Sequence, residues 1–324
     1  MNKNKKPLFL ITIDTEGDNL WSKPKKISTE NAKFIPRFQN LCEYYGFKPT
    51  YLVNYEMACS NYFQEFGLDV LERGKGEIGM HLHAWNNPPI NSLTNDDFFH
   101  QPYLIEYSKE VINDKIKFIT ELLENKFNTS IVSHRSGRWA LNQIYSDLLI
   151  ENGYKIDCSV TPLRSWSKTK GAPCGDGGSN YLYNLNIPYW LYSSVDSKAP
   201  PLLEIPVTII SKEEMINTLI DKFRFSRKLI IWLLRKKMKP IWLRPNGKNI
   251  NNLKSIVDYK LGVNSDYIMF ALHSSELMGG CNPTFKSNND IEKLYDDLNE
   301  LFSYIKDLFS SGTLLDFYNY KQIS

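Results

Sequence analysis

The chain has 324 residues, 42% hydrophobic and 23% charged, with a net charge of +3. That is ordinary globular composition with length for a large core, and it lacks the strongly basic balance of a nucleic-acid binder. Five cysteines (Cys42, Cys59, Cys158, Cys174, Cys281) are odd in number, widely spaced and without a C-x-x-C pair. This argues against a disulfide framework or a zinc knuckle and fits reduced thiols in a cytoplasm.

The apolar LFLITI after MNKNKK is short, has no small-residue cleavage site and runs into Asp14, so it reads as a strand over 8–14 and not as a signal peptide. Asp14 and Glu16 lie two apart on extended backbone and so face one side together, where two carboxylates repel unless a cation or proton sits between them. The plain alternative is a pair of strand-end acids facing water. Asp18, after Gly17, belongs to the turn. Phe34, Phe38, Leu41 and Tyr45 then follow helical spacing, with Thr29 as N-cap and Gly46 as the stop.

A second strand is expected over 49–54 and a third over 77–83, ending in His81 and His83. A His-x-His pair can converge on one ion, and imidazole with carboxylate suits Zn²⁺ or a neighbouring first-row metal. Taken alone, the pair could equally be hydrogen-bonded core. A helical stripe runs from Val111 through Ile116 and Ile119 to Leu123, and a fourth strand over 130–135 ends in Arg135. Arg135 is placed to hold a carboxylate ionised and aligned, while His134 points to the opposite side, as a further ligand or as core. Arg138 serves the following loop.

A fifth strand is expected over 154–160. The glycine-rich stretch 164–188 is then an irregular insertion that lines a pocket or stays a mobile surface loop. A sixth strand covers 202–209, and Ser211 with Glu214 forms a capping-box pair. Segment 222–240 carries an apolar centre flanked by cations, which suits a membrane-surface helix or, more plainly, an outer helix with basic ends. The seventh strand, 267–274, sets His273 at its end, placed to protonate a leaving amine or to sit buried against a carbonyl. A C-terminal helix is expected at about 289–311.

Seven strands alternating with helices predict a parallel sheet covered by helices, with active-site residues at the C-terminal strand ends. No repeat or linker divides residues 1–324, so one domain is expected.

These motifs resemble the polysaccharide deacetylases of the NodB-homology type, carbohydrate esterase family 4. ITIDTEGD is similar to their first acidic motif, EIGMHLH to the histidine motif, HRSGRW to the arginine motif, YKIDCSVTP to the following Asp segment and FALHSS to the final Leu-x-His motif, all in the family's order. The resemblance implies a distorted (β/α)₇ TIM-like barrel, in agreement with the seven strands. It makes Asp14 the base, Glu16, His81 and His83 metal ligands, Arg135 the partner of the base, Asp157 a supporting acid and His273 the general acid. Two departures stand out: the acids are separated by Thr15 and the second is Glu, and the position four after His81 is Trp85. The second imidazole is therefore His83 or His134.

The function implied is metal-dependent hydrolysis of an N-acetyl group on an amino sugar in a polysaccharide or its biosynthetic precursor. Zn²⁺ would be the ion, and Trp85, Trp139 and Trp166, near the expected mouth, either stack on sugar rings or, more plainly, serve ordinary packing. The alternatives are hydrolysis of a cyclic amide or imide on the same barrel, or a degenerate glycan-binding relative. An amidohydrolase barrel normally carries His-x-His on its first strand, and here the pair falls on the third.

Overall fold

A computed structural model describes residues 6–211 and 240–323. Within them the chain forms eleven strands: β1 Leu8–Thr15, β2 Pro49–Val53, β3 Glu77–Leu82, β4 Ser133–Ser136, β5 Ile156–Asp157, β6 Tyr189–Leu191, β7 Leu202–Glu204, β8 Ile209–Ser211, β9 Pro240–Trp242, β10 Tyr267–His273 and β11 Ser310–Gly312. The helices are α1 Ile35–Tyr44, α2 Tyr55–Ala58, α3 Asn61–Glu72, α4 Asp97–His100, α5 Lys109–Phe127, α6 Gln143–Glu151, α7 Ile250–Gly262, α8 Asn288–Ile305 and α9 Leu314–Ile323.

The expected seven parallel strands pair in the order β10, β1, β2, β3, β4, β5, β7, with β6 added antiparallel on β7. The result is a curled α/β sheet, the distorted barrel expected. The short β8–β9 pair follows on from β7, whose bonding toward the β5 segment extends to the Val207 N–H and Val160 carbonyl (3.0 Å), and it reaches the β10 edge where the Ala271 N–H donates to the Leu243 carbonyl (3.2 Å). The expected strand over 202–209 breaks at Ile205 and resumes as β8, because its backbone turns to reach this second pair.

Helices pack on the sheet through the periodic residues. α5 buries Ile112, Ile116, Ile119, Leu123 and Phe127 along one face, starting where the Ser108 hydroxyl accepts from Val111 N–H. α8 starts at a Ser287–Asp290 capping box and buries Leu294, Leu298, Leu301, Phe302 and Ile305. Each such side chain contributes roughly 1.5–3 kcal/mol through burial. α1 begins later than its stripe implied: Thr29 precedes a 3₁₀ turn, Glu30–Phe34, without a side-chain cap, and Gly46 at φ +75° follows its end.

The C-terminal helix corrects the expectation of 289–311. It ends at Ile305, and Ser310–Gly312 become β11, parallel to the first residues of β1. β2 pairs with β1 only from Ile11 onward, so the start of β1 has a free edge, and β11 fills it. Glu214 and the basic segment up to residue 239 lie outside the described residues. No described helix is long and apolar enough to cross a membrane.

Candidate active site

The C-terminal ends of β1, β3, β4 and β10 open into one cavity of about 580 Å³, lined among others by Asp14, Glu16, His81, His83 and His273. Trp85, Trp139 and Trp166, the three expected aromatic walls, all line it, the last reaching in from the 164–188 insertion. With Trp21 and Trp242, five of the chain's seven tryptophans meet there.

Register explains the convergence. Asp14 pairs with His273 across β1–β10, and His81 with Arg135 across β3–β4. Glu16, just past β1, is pinned at its backbone: its N–H donates to the Ser274 hydroxyl (3.1 Å), and its carbonyl accepts from the Asn31 amide (2.9 Å).

Glu16 Oε2 lies 3.2 Å from His83 Nε2 and 3.5 Å from His81 Nε2, and the two imidazole nitrogens are 2.8 Å apart. All three side chains are buried. His81 Nδ1 is 3.0 Å from the Arg135 carbonyl, which can only accept, so Nδ1 carries a hydrogen and the ring is oriented with Nε2 toward Glu16. Burial pushes the Glu16 carboxyl up, but the imidazoles of His273, His81 and His83 outweigh it and hold it below the ordinary carboxylate range.

Two imidazoles and a carboxylate form a donor set for zinc or another first-row ion. The atoms are also close enough together for an ion bonded at about 2.0–2.1 Å to touch all three. The residues therefore fit a divalent metal. His83, not His134, provides the second imidazole of this cluster. Gly137 permits that approach, since a Cβ there would fall 2.4 Å from His83 Cδ2.

Arg135 is fully buried. Its Nη1 donates to Asp14 Oδ1 (2.6 Å), Nη2 to Thr12 Oγ1 (2.9 Å) and Nε to the Cys158 carbonyl (3.1 Å). Burial raises the Asp14 carboxyl, yet the Arg135 guanidinium, with His81 and His273, lowers it further and keeps it ionised. Asp14 Oδ2 stays free of Arg135 and lies 3.6 Å from His273 Nε2. On the far side of that ring, Arg244 Nη2 is 2.8 Å from His273 Nδ1. Guanidinium only donates, so Nδ1 accepts and Nε2 carries the hydrogen, facing Asp14 and Glu16.

Asp157, the expected supporting acid, is buried and is not among the residues that line the cavity. β4 and β5 pair His134 with Asp157, so the carboxylate meets His134 Nδ1 at 2.5 Å, while His134 Nε2 meets Tyr145 Oη at 2.7 Å. Glu276 also lies beside His273 at the cavity. It accepts from the His273 N–H (2.9 Å) and pairs with Arg244 (2.9 Å). The i, i+3 spacing of His273 and Glu276 carried that signal in the sequence; β9, three residues long, gave none for Trp242 or Arg244.

Arg138 and Trp139 both adopt left-handed backbone, φ 56° and 62°. Such conformations cost of order 1–3 kcal/mol each for non-glycine residues and persist where surrounding contacts enforce them. Here the enforced turn aims both side chains at the cavity. The Arg135 guanidinium lies 4.9 Å from the Trp139 ring centroid.

No protein-family model matches this sequence, and no curated protein does. Among solved structures, a protein from Mycobacterium smegmatis assigned as a polysaccharide deacetylase superposes with a TM-score of 0.56 at 13% identity, covering 100% of this chain and 93% of its own. The fold is that of a polysaccharide deacetylase. A 4-alpha-glucanotransferase from Thermococcus litoralis also superposes, with a TM-score of 0.54 at 16% identity over 98% of this chain. The match spans 40% of that longer enzyme. One barrel thus underlies both proteins, and the site's own residues must carry any argument about chemistry.

Proposed function

We propose that the chain is a metal-dependent deacetylase that hydrolyses the N-acetyl group of an amino sugar in a polysaccharide or its precursor, with Zn²⁺ as the ion. The observation that carries this reading is the convergence of Glu16, His81 and His83 beside an Arg135-clamped Asp14. A divalent ion held by those three residues would supply Lewis acidity at the amide carbonyl.

The chain's own groups account for the proton movements. Asp14, anionic and with Oδ2 unclaimed by Arg135, takes a proton from the attacking water. His273, whose Nε2 hydrogen faces the same point, donates to the departing nitrogen. Water adds to the acyl carbon, the C–N bond breaks, and acetate and a free sugar amine result. The tryptophan walls offer stacking faces for sugar rings.

The test is to load the protein with Zn²⁺, add N-acetylated oligosaccharides and amino-sugar precursors, and measure free acetate. Release that stops on chelation is expected. No release across the panel with metal bound would overturn the proposal.

A further inference from the structure

The charges lining the cavity pair off, with one remainder. Asp14 is matched by Arg135 and Glu276 by Arg244, while Glu16 faces the two histidines. Arg138 also lines the cavity, and among the described residues it has no carboxylate within ion-pair distance. Glu106 contributes at longer range, but its carboxylate accepts from the Tyr103 and Ala172 N–H groups.

Arg138 is held as if for display. Its guanidinium lies 3.8 Å from the Tyr103 ring centroid, Nη1 donates to the Gln101 carbonyl, and Nη2 donates to the Lys170 carbonyl at 3.0 Å. Those bonds use two of the five N–H groups of a guanidinium, leaving donors without a partner among the described residues. The left-handed backbone at Arg138 keeps the side chain on the cavity side. One residue earlier, Gly137 packs against His83, so the Arg138 backbone adjoins the metal-ligand cluster, and its side chain lines the same cavity. Arg164, 5.4 Å from the Trp166 ring centroid and 5.9 Å from that of Trp242, adds positive charge behind the same wall.

We propose that Arg138 is an anion-binding corner of the cavity, and that the sugar bound there carries a carboxylate or phosphate beside its N-acyl group. A planar guanidinium with free donors matches the paired oxygens of either anion. The statement about substrate rests on the deacetylase reading; the binding site itself does not.

Binding is read by quenching of tryptophan fluorescence in the full-length, Zn²⁺-loaded protein. The probes are neutral N-acetylglucosamine, its 6-phosphate, and N-acetylmuramic acid, which bears a carboxylate. At least one anionic sugar should bind about tenfold tighter than the neutral one, the scale of one charge-assisted hydrogen bond. Which of the two does so identifies the anion.

In Arg138→Gln the ratio of anionic to neutral affinity should collapse toward one, and Arg138→Lys should restore part of it. If Arg138 only staples its two loops, the variant weakens all three sugars alike and the ratio survives. That outcome, or the absence of any preference in the wild type, overturns the proposal. Acetate release is measured separately: an anion preference without acetate release leaves the subsite standing and removes the deacetylase reading.

Discussion

Two histidine–carboxylate clusters lie on neighbouring strands of this barrel, and they differ in what their nitrogens face. At the mouth, His81 and His83 turn Nε2 atoms toward Glu16, and His83 Nδ1 has no partner among the described residues. One strand further on, His134 is saturated: Asp157 holds Nδ1, Tyr145 holds Nε2, and Asp157 takes two more bonds from Ser159. Behind it, burial and the charge of Asp157 raise the Glu204 carboxyl far above its usual range, so it stays protonated. The same residue types thus give an open coordination set in one place and a closed polar core in the other. What separates them is what the Nε2 atoms face: a shared carboxylate and each other at the mouth, a tyrosine hydroxyl in the interior.

Substitutions that tell ligand from core test this contrast most strongly. His81→Ala or His83→Ala should take the protein from about one bound ion per chain to none after dialysis, by metal emission analysis, and lower turnover to background. If His134→Ala did this instead, the assignment of the two clusters would be reversed. Asp14→Asn should retain the metal and lose turnover by a factor of about 10²–10⁴. Loss of metal in that variant would make Asp14 a ligand and not the base.

Smaller effects are expected in the interior. His134→Ala should keep the metal and lose about 1–3 kcal/mol in urea unfolding, since Asp157 and Tyr145 would be left without their buried partner. Glu204→Gln should change stability by less than about 1 kcal/mol near neutral pH, because the amide can donate to Asp157 as the protonated acid does. Its pH dependence has a definite sign. Above the ordinary carboxylate range of about 4.3 the unfolded chain has released this proton while the folded chain keeps it, so stability from this group falls as pH rises. The variant should lack that slope between pH 5 and 8; an unchanged slope would mean that Glu204 is ionised in the fold.

Local pattern revealed those parts of the site that local geometry determines. Strand alternation put Asp14 and Glu16 on one face, and His81 and His83 on another. It also turned His134 away from Arg135, and the structure has that arrangement. The target of Asp157 depended on pairing across β4 and β5, which the order of motifs does not specify. Arg244, Trp242 and Tyr103 enter the cavity from elements of three residues or fewer and from loops, too short for any period to be counted. The end of α8 was missed because an apolar stripe continues through Leu308 after the backbone has left the helix to supply β11.

The placement of β1 has a consequence in time. It is synthesised first among the strands, yet its β10 and β11 neighbours emerge last, and the Glu16 N–H meets a hydroxyl 258 positions away. A nascent chain carrying Glu16, His81 and His83 therefore offers ion-binding groups on the ribosome long before β10 arrives to fix them. Such long-range closure is slow to form and leaves a bare strand edge meanwhile. Chains interrupted before Tyr267 would keep those three donors without the strand that carries His273, and would be candidates for aggregation or for capture by a chaperone.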